Sequence, residues 1–151
     1  MTTKHMLTRI GALAAIAAAV ISDAARAETV SVDRMQVTAG DTILIDGFKT
    51  WLQGCDTPET TEAKCSAERE RGEVAAARMR RLLRSGAVQV RWVRQVDRYK
   101  RGLAKVYVDG RNVCQTMIEE GLAIPSAGGR RIDWCTKIPP RAGVVGHDPD
   151  Q

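Results

Sequence analysis

The chain has 151 residues, a formal net charge of +5 at pH 7, four cysteines and two histidines. That length holds one domain with a real core and is short for two. Only His147, in a polar stretch near the end, lies beyond the first 27 residues. Serine–histidine and cysteine–histidine catalysis are thereby disfavoured, which leaves carboxylates, arginines and a hard metal ion to carry any chemistry.

Residues 1–27 read as a secretory signal peptide. Lys4 and Arg9 precede an apolar run over residues 10–21, and Ala25-Arg26-Ala27 forms a small-x-small cleavage site. The run of 12 residues is too short to span a bilayer. An exported protein is expected, periplasmic or extracellular, with no membrane segment in its mature form. Lys4, Arg9 and Arg26 against Asp23 take +2 of the +5 with the signal, leaving +3 for residues 28–151. That excess permits a polyanionic substrate without requiring one.

Residues 28–37 alternate loosely and suit a first strand. Residues 41–46 form a second, and Asp46-Gly47 is a strong hairpin signal leading into a third over 48–55. Pro58 must leave the sheet. Ser66 is placed to N-cap a helix reaching residue 84, with Glu68 in its first turn and Gly86 past its end. Ala75, Met79, Leu82 and Leu83 make its apolar stripe, and Arg71, Arg78, Arg81 and Arg84 are read as a solvated face. Strands follow over 87–93 and 104–108, then a short helix over 113–120 stopping at Gly121. This order predicts an α+β domain on a five-stranded β-barrel with two or three helices, spanning 28–136, followed by a flexible tail, 137–151. A monomer is the default expectation.

All four cysteines lie beyond the signal, and an even count in an oxidising compartment favours disulfides. The spacings of 10, 49 and 21 contain no C-x-x-C pair, which disfavours zinc. Cys65, at the start of the long helix, and Cys135, after the last ordered-looking stretch, are expected to pair. For Cys55 and Cys114 a second bridge and two buried thiols are equally open.

The chemistry concentrates in two segments. Gly40-Asp41-Thr42 opens one strand, and Asp56-Thr57-Pro58-Glu59 closes the next after the hairpin. Antiparallel pairing brings those ends together, so Asp41, Asp56 and Glu59 can converge with a backbone carbonyl as an oxygen-only site for a hard cation such as Ca²⁺. Arg101 sits in a cationic loop with Asp97, Arg98, Tyr99 and Lys100. Metal, carboxylate and arginine are the parts phosphoryl chemistry needs. Turn and strand capping by the same residues is the structural alternative.

These segments, with Leu52-Gln53-Gly54-Cys55 before Asp56 and the run from Asp97 to Gly110, resemble the thermonuclease (staphylococcal-nuclease-like) family over residues 35–125. The resemblance implies an OB-type barrel and Ca²⁺-dependent cleavage of phosphodiester bonds in DNA and RNA. It implies Asp41, Asp56 and the Thr57 carbonyl as metal ligands, Glu59 as general base and Arg101 on the scissile phosphate. Tyr99 corresponds to a substrate-binding tyrosine.

The pattern is broken in places. The family's second arginine, five residues before the second metal aspartate, is Trp51 here, and Lys49, on the same strand face, is the candidate substitute for substrate binding. Ala39 and Lys100 replace a family aspartate and glycine, and no tyrosines stand near Ser126 and Ala127. The family's third helix is expected to be shortened to residues 130–135. Two functions follow: a nuclease with activity weakened at Trp51, or a non-catalytic barrel binding nucleic acid or protein through a decayed site.

Overall fold

A computed structural model describes residues 27–93, 101–128 and 131–136. Residues 1–26, the tail 137–151, Arg130 and the loop residues Asp97, Arg98, Tyr99 and Lys100 lie outside the described residues.

In chain order the elements are β1 (Ala27–Thr29), a 3-10 turn (Val32–Arg34), β2 (Met35–Ala39), β3 (Thr42–Ile45), β4 (Phe48–Leu52) and β5 (Gly54–Asp56). Helix α1 (Ser66–Leu83) follows, then β6 (Val88–Val93), β7 (Gly102–Val108), β8 (Arg111–Asn112), α2 (Val113–Glu119) and β9 (Ile124–Ser126). The architecture is α+β, in keeping with an OB-type fold. Among the described residues seven strands share one mixed sheet in the order β1-β6-β7-β4-β3-β2, with β8 on β7 and only β4–β7 parallel. β5 and β9 form a separate antiparallel pair.

Within this OB-type arrangement the ladder of described strands stays open rather than closing on itself. Two local breaks explain it. The expected first strand is split by the turn that Ser31 caps, so β1 pairs with β6 while β2 pairs with β3. The expected third strand is split after Leu52, where Gly54 at φ +117°, open to glycine alone among common residues, turns residues 54–56 away to β9. The Asp46-Gly47 hairpin is as expected, with φ of +50° and +79°, the pair of positive values a type I′ turn requires.

Ala75, Met79, Leu82 and Leu83 of α1 pack on Ile43, Ile45, Leu52, Val88, Val90, Ala104 and Val106 from the sheet and Met117 from α2. The N-cap of α1 is Cys65 rather than Ser66: Cys65 is extended, and its sulfur accepts from the Glu68 N–H. The arginine face of α1 is not wholly solvated. Arg78 is half-buried and forks onto Glu120 at 2.7 and 2.6 Å, tying α1 to the end of α2.

No third helix occurs in residues 131–136, which run as an irregular stretch and a turn. Trp134 and Cys135 fix that segment to the domain instead. Cys65–Cys135 is bridged as expected, and Cys55–Cys114 forms the second disulfide. Among the described residues no helix is long and apolar enough to cross a membrane.

Candidate active site

Asp41 stands at the entrance to β3, beside a glycine that only a missing side chain permits. A Cβ on Gly40 would lie 2.8 Å from the Ala75 Cβ and 2.9 Å from the Thr57 Cγ2. The chain therefore presses α1, the start of β3 and the segment after β5 into contact. There Asp41 Oδ2 accepts from the Thr57 N–H at 3.2 Å, and its Oδ1 accepts from the Thr42 hydroxyl at 2.9 Å.

Asp56 ends β5, and the Cys55–Cys114 bridge anchors the residue before it. Pro58 then carries the chain out of the sheet toward Glu59. Helix α1 supports this stretch twice. At Gly72 a Cβ would lie 2.2 Å from the Glu59 carbonyl oxygen, so the helix packs directly on that backbone. Four residues earlier, the buried Glu68 carboxylate accepts from the N–H groups of Glu59 at 3.3 Å and Lys64 at 2.8 Å. The loop that presents Glu59 is thus clamped by a carboxylate that is itself satisfied by backbone donors.

Asp41 is joined to Thr57 by its backbone hydrogen bond, and Asp56, Thr57 and Glu59 are linked through a residue not singled out from the sequence. The Arg131 Nε meets Asp56 Oδ1 at 2.9 Å, and its terminal nitrogens reach the Glu59 carboxylate and the Thr57 carbonyl. The indole N–H of buried Trp134 donates to Asp56 Oδ2 at 3.1 Å. Burial pushes the Asp56 and Glu59 carboxyls above their ordinary range, and Arg131 pulls both back without cancelling the effect. Burial works against the Arg131 charge in turn, but Asp56, Glu59 and Asp41 together outweigh it and raise its pKa.

Among the described residues no three His, Cys, Asp or Glu side chains form a ready metal cage. The donor set nevertheless suits a hard cation. Its donors are oxygens from two buried aspartates, a carbonyl and Glu59, and each of these groups except Asp41 already contacts one guanidinium. A cluster that draws in one positive charge fits a cation-binding role.

The two cationic positions fare differently. Arg101 precedes β7 and stacks over the Trp51 ring, 5.3 Å from its centroid. The parallel register Trp51↔Leu103 accounts for that meeting. Lys49 is exposed near the start of β4. Tyr99 lies outside the described residues.

Arg131, Trp134 and Gly72 escaped the reading of motifs, and Glu68 was read there only as a first-turn residue of the helix. The expected Cys65–Cys135 bridge was the available signal, since it carries residues just before Cys135 to the start of α1, beside the carboxylates.

Residues 49–131, more than half of the chain, match the family model described as staphylococcal nuclease homologue. The chain is 40% identical over 90 residues to endonuclease YncB of Bacillus subtilis (strain 168), covering 56% of this chain and 42% of that protein. It is 43% identical over 70 residues to SPbeta prophage-derived endonuclease YokF of the same organism, covering 45% of this chain and 23% of that protein. The matched stretches thus span less than half the length of either relative.

Proposed function

The chain belongs to the staphylococcal nuclease homologue family, and from that membership we propose that it hydrolyses phosphodiester bonds of DNA or RNA with a divalent cation, Ca²⁺ by preference. The observation that carries the reading is the convergence of Asp41, Asp56, Thr57 and Glu59 around a positive charge. Asp41, Asp56 and the Thr57 carbonyl would hold the metal, which when bound supplies Lewis-acid polarisation of the phosphate.

The chain's own residues do the rest. The Glu59 carboxylate takes a proton from the attacking water. The water oxygen forms a bond to phosphorus while the bond to the leaving sugar oxygen breaks. Arg101, backed by the Trp51 indole, meets the charge that grows on the non-bridging oxygens. Lys49 and Tyr99 are assigned to the flanking phosphates.

Export is part of the same proposal. Two disulfides suit an oxidising compartment, and residues 1–27 have the composition of a cleaved signal. The folded unit is taken as residues 28–136, acting as a monomer.

Trp51 favours a second reading, a barrel that binds without cleaving, because an indole cannot pair with a phosphate as an arginine fork does. Cleavage of DNA and RNA measured in Ca²⁺ and again with a chelator separates the two. The nuclease cleaves only in Ca²⁺, and Glu59→Gln and Arg101→Ala each lower the rate by roughly two to three orders of magnitude. Binding of nucleic acid with no cleavage of either substrate in Ca²⁺ would leave the binder.

A further inference from the structure

We propose that Arg131 is a resident counter-cation that a divalent metal must displace, and that it thereby sets the metal affinity of the carboxylate cluster. The inference rests on the calcium reading of the site and adds a residue to it. Asp56 and the Thr57 carbonyl are two of the three groups assigned to the metal, and Glu59 is their neighbour. The Arg131 guanidinium engages all three at once. A divalent cation on these oxygens repels the guanidinium at close range and competes with it for the same lone pairs, so metal binding works against the arginine-bound state.

The geometry suits exchange rather than permanent pairing. The Asp56 side chain is 7% exposed and fixed on its other oxygen by the Trp134 indole, whereas the Arg131 side chain keeps 37% of its surface in solvent. The guanidinium can swing outward along a path the carboxylate lacks. Its backbone cannot leave, because Trp134 is buried and Cys135 is bridged to Cys65 at the start of α1. The competitor is therefore tethered, and its effective concentration at the cluster stays high at any protein concentration. Arginine fits that role better than lysine, since its fork meets a carboxylate and a carbonyl together.

Calcium titration by calorimetry on the oxidised chain, on Arg131→Ala and on Arg131→Lys tests the proposal, with melting temperatures taken in chelator and in calcium. Arg131→Ala should bind calcium roughly ten- to a hundredfold more tightly, the scale of hydrogen bonds lost to a charged competitor. Arg131→Lys should fall between. In chelator the alanine variant should melt below the parent, and calcium should raise its melting temperature by more than it raises the parent's. A merely structural arginine would lower melting in both conditions with no gain in affinity. Calcium binding unchanged or weakened in Arg131→Ala, with the parent binding normally, overturns the proposal and leaves the calcium reading standing. Absence of binding in parent and variants alike removes the calcium reading and the proposal with it.

Discussion

Trp51 is the residue at which the candidate site departs from the family resemblance. The indole occupies the position where the family resemblance expects an arginine, and Arg101 stacks on it. A cation–π contact of this kind is worth about 0.5–2 kcal/mol. Trp51→Ala should therefore lower cleavage by roughly 2- to 30-fold, the rate equivalent of that contact. Trp51→Arg exchanges the platform for a second fork on the phosphate and should raise cleavage. A melting curve beside each assay removes the case in which the swap only loosens the sheet. At this scale the sequence was legible wherever a motif names the residue. Asp41 hydrogen-bonds the Thr57 backbone, and Asp56, Thr57 and Glu59 share Arg131, so the residues the motifs name lie in one neighbourhood. Arg131 was not legible, because an arginine 72 residues beyond Glu59 carries no local mark of its partner.

Helix α1 is the element that shapes the site. It brings Gly72 against the Glu59 backbone and Glu68 under the loop that follows. Replacing Gly72 by alanine would set a methyl carbon 2.2 Å from a carbonyl oxygen, and backbone cannot yield as a side chain does. We expect Gly72→Ala to destabilise the domain by about 1–3 kcal/mol and to lower cleavage by displacing Glu59, as read from melting and rate together. Glu68→Gln keeps the shape but replaces a charged acceptor. It should lose about 1–3 kcal/mol in denaturant unfolding, since two backbone donors share that carboxylate.

The same helix is joined to α2 by Arg78 and Glu120. The hydrogen bond from Arg78 holds the Glu120 carboxyl below its ordinary range. A depressed carboxyl contributes stability above its unfolded pKa and loses it as pH falls through the folded value. Glu120→Gln should thus be less stable than the parent at neutral pH and should converge with it in acid, by no more than about 1 kcal/mol for so solvated a pair. The heptad-like stripe announced which face of α1 is buried. The Arg78 pairing was hidden, because a charge on a helix looks the same whether water or a distant carboxylate faces it.

At the scale of the whole molecule, the two disulfides close loops of 59 and 70 residues. Each is worth about 4 kcal/mol on the chain-entropy account, and a double Cys65→Ser, Cys135→Ser variant should lose roughly 2–4 kcal/mol. Denaturant unfolding of that variant, non-reduced, gives the number. Pairing of Cys65 with Cys135 was legible from the positions of the two residues. The open ladder was not, because alternation finds strands but does not say where a strand stops pairing with one neighbour and starts with another. Gly40 and Gly72 bear on how this protein tolerates change as a whole. Neither carries a side chain, yet each is the gap into which a neighbouring backbone or side chain fits. A saturation screen scored on nuclease function alone would rank these two silent positions beside Asp41 and Glu59. A parallel screen for folded protein would separate positions that fail by shape from carboxylates that, on the proposed function, would fail by charge.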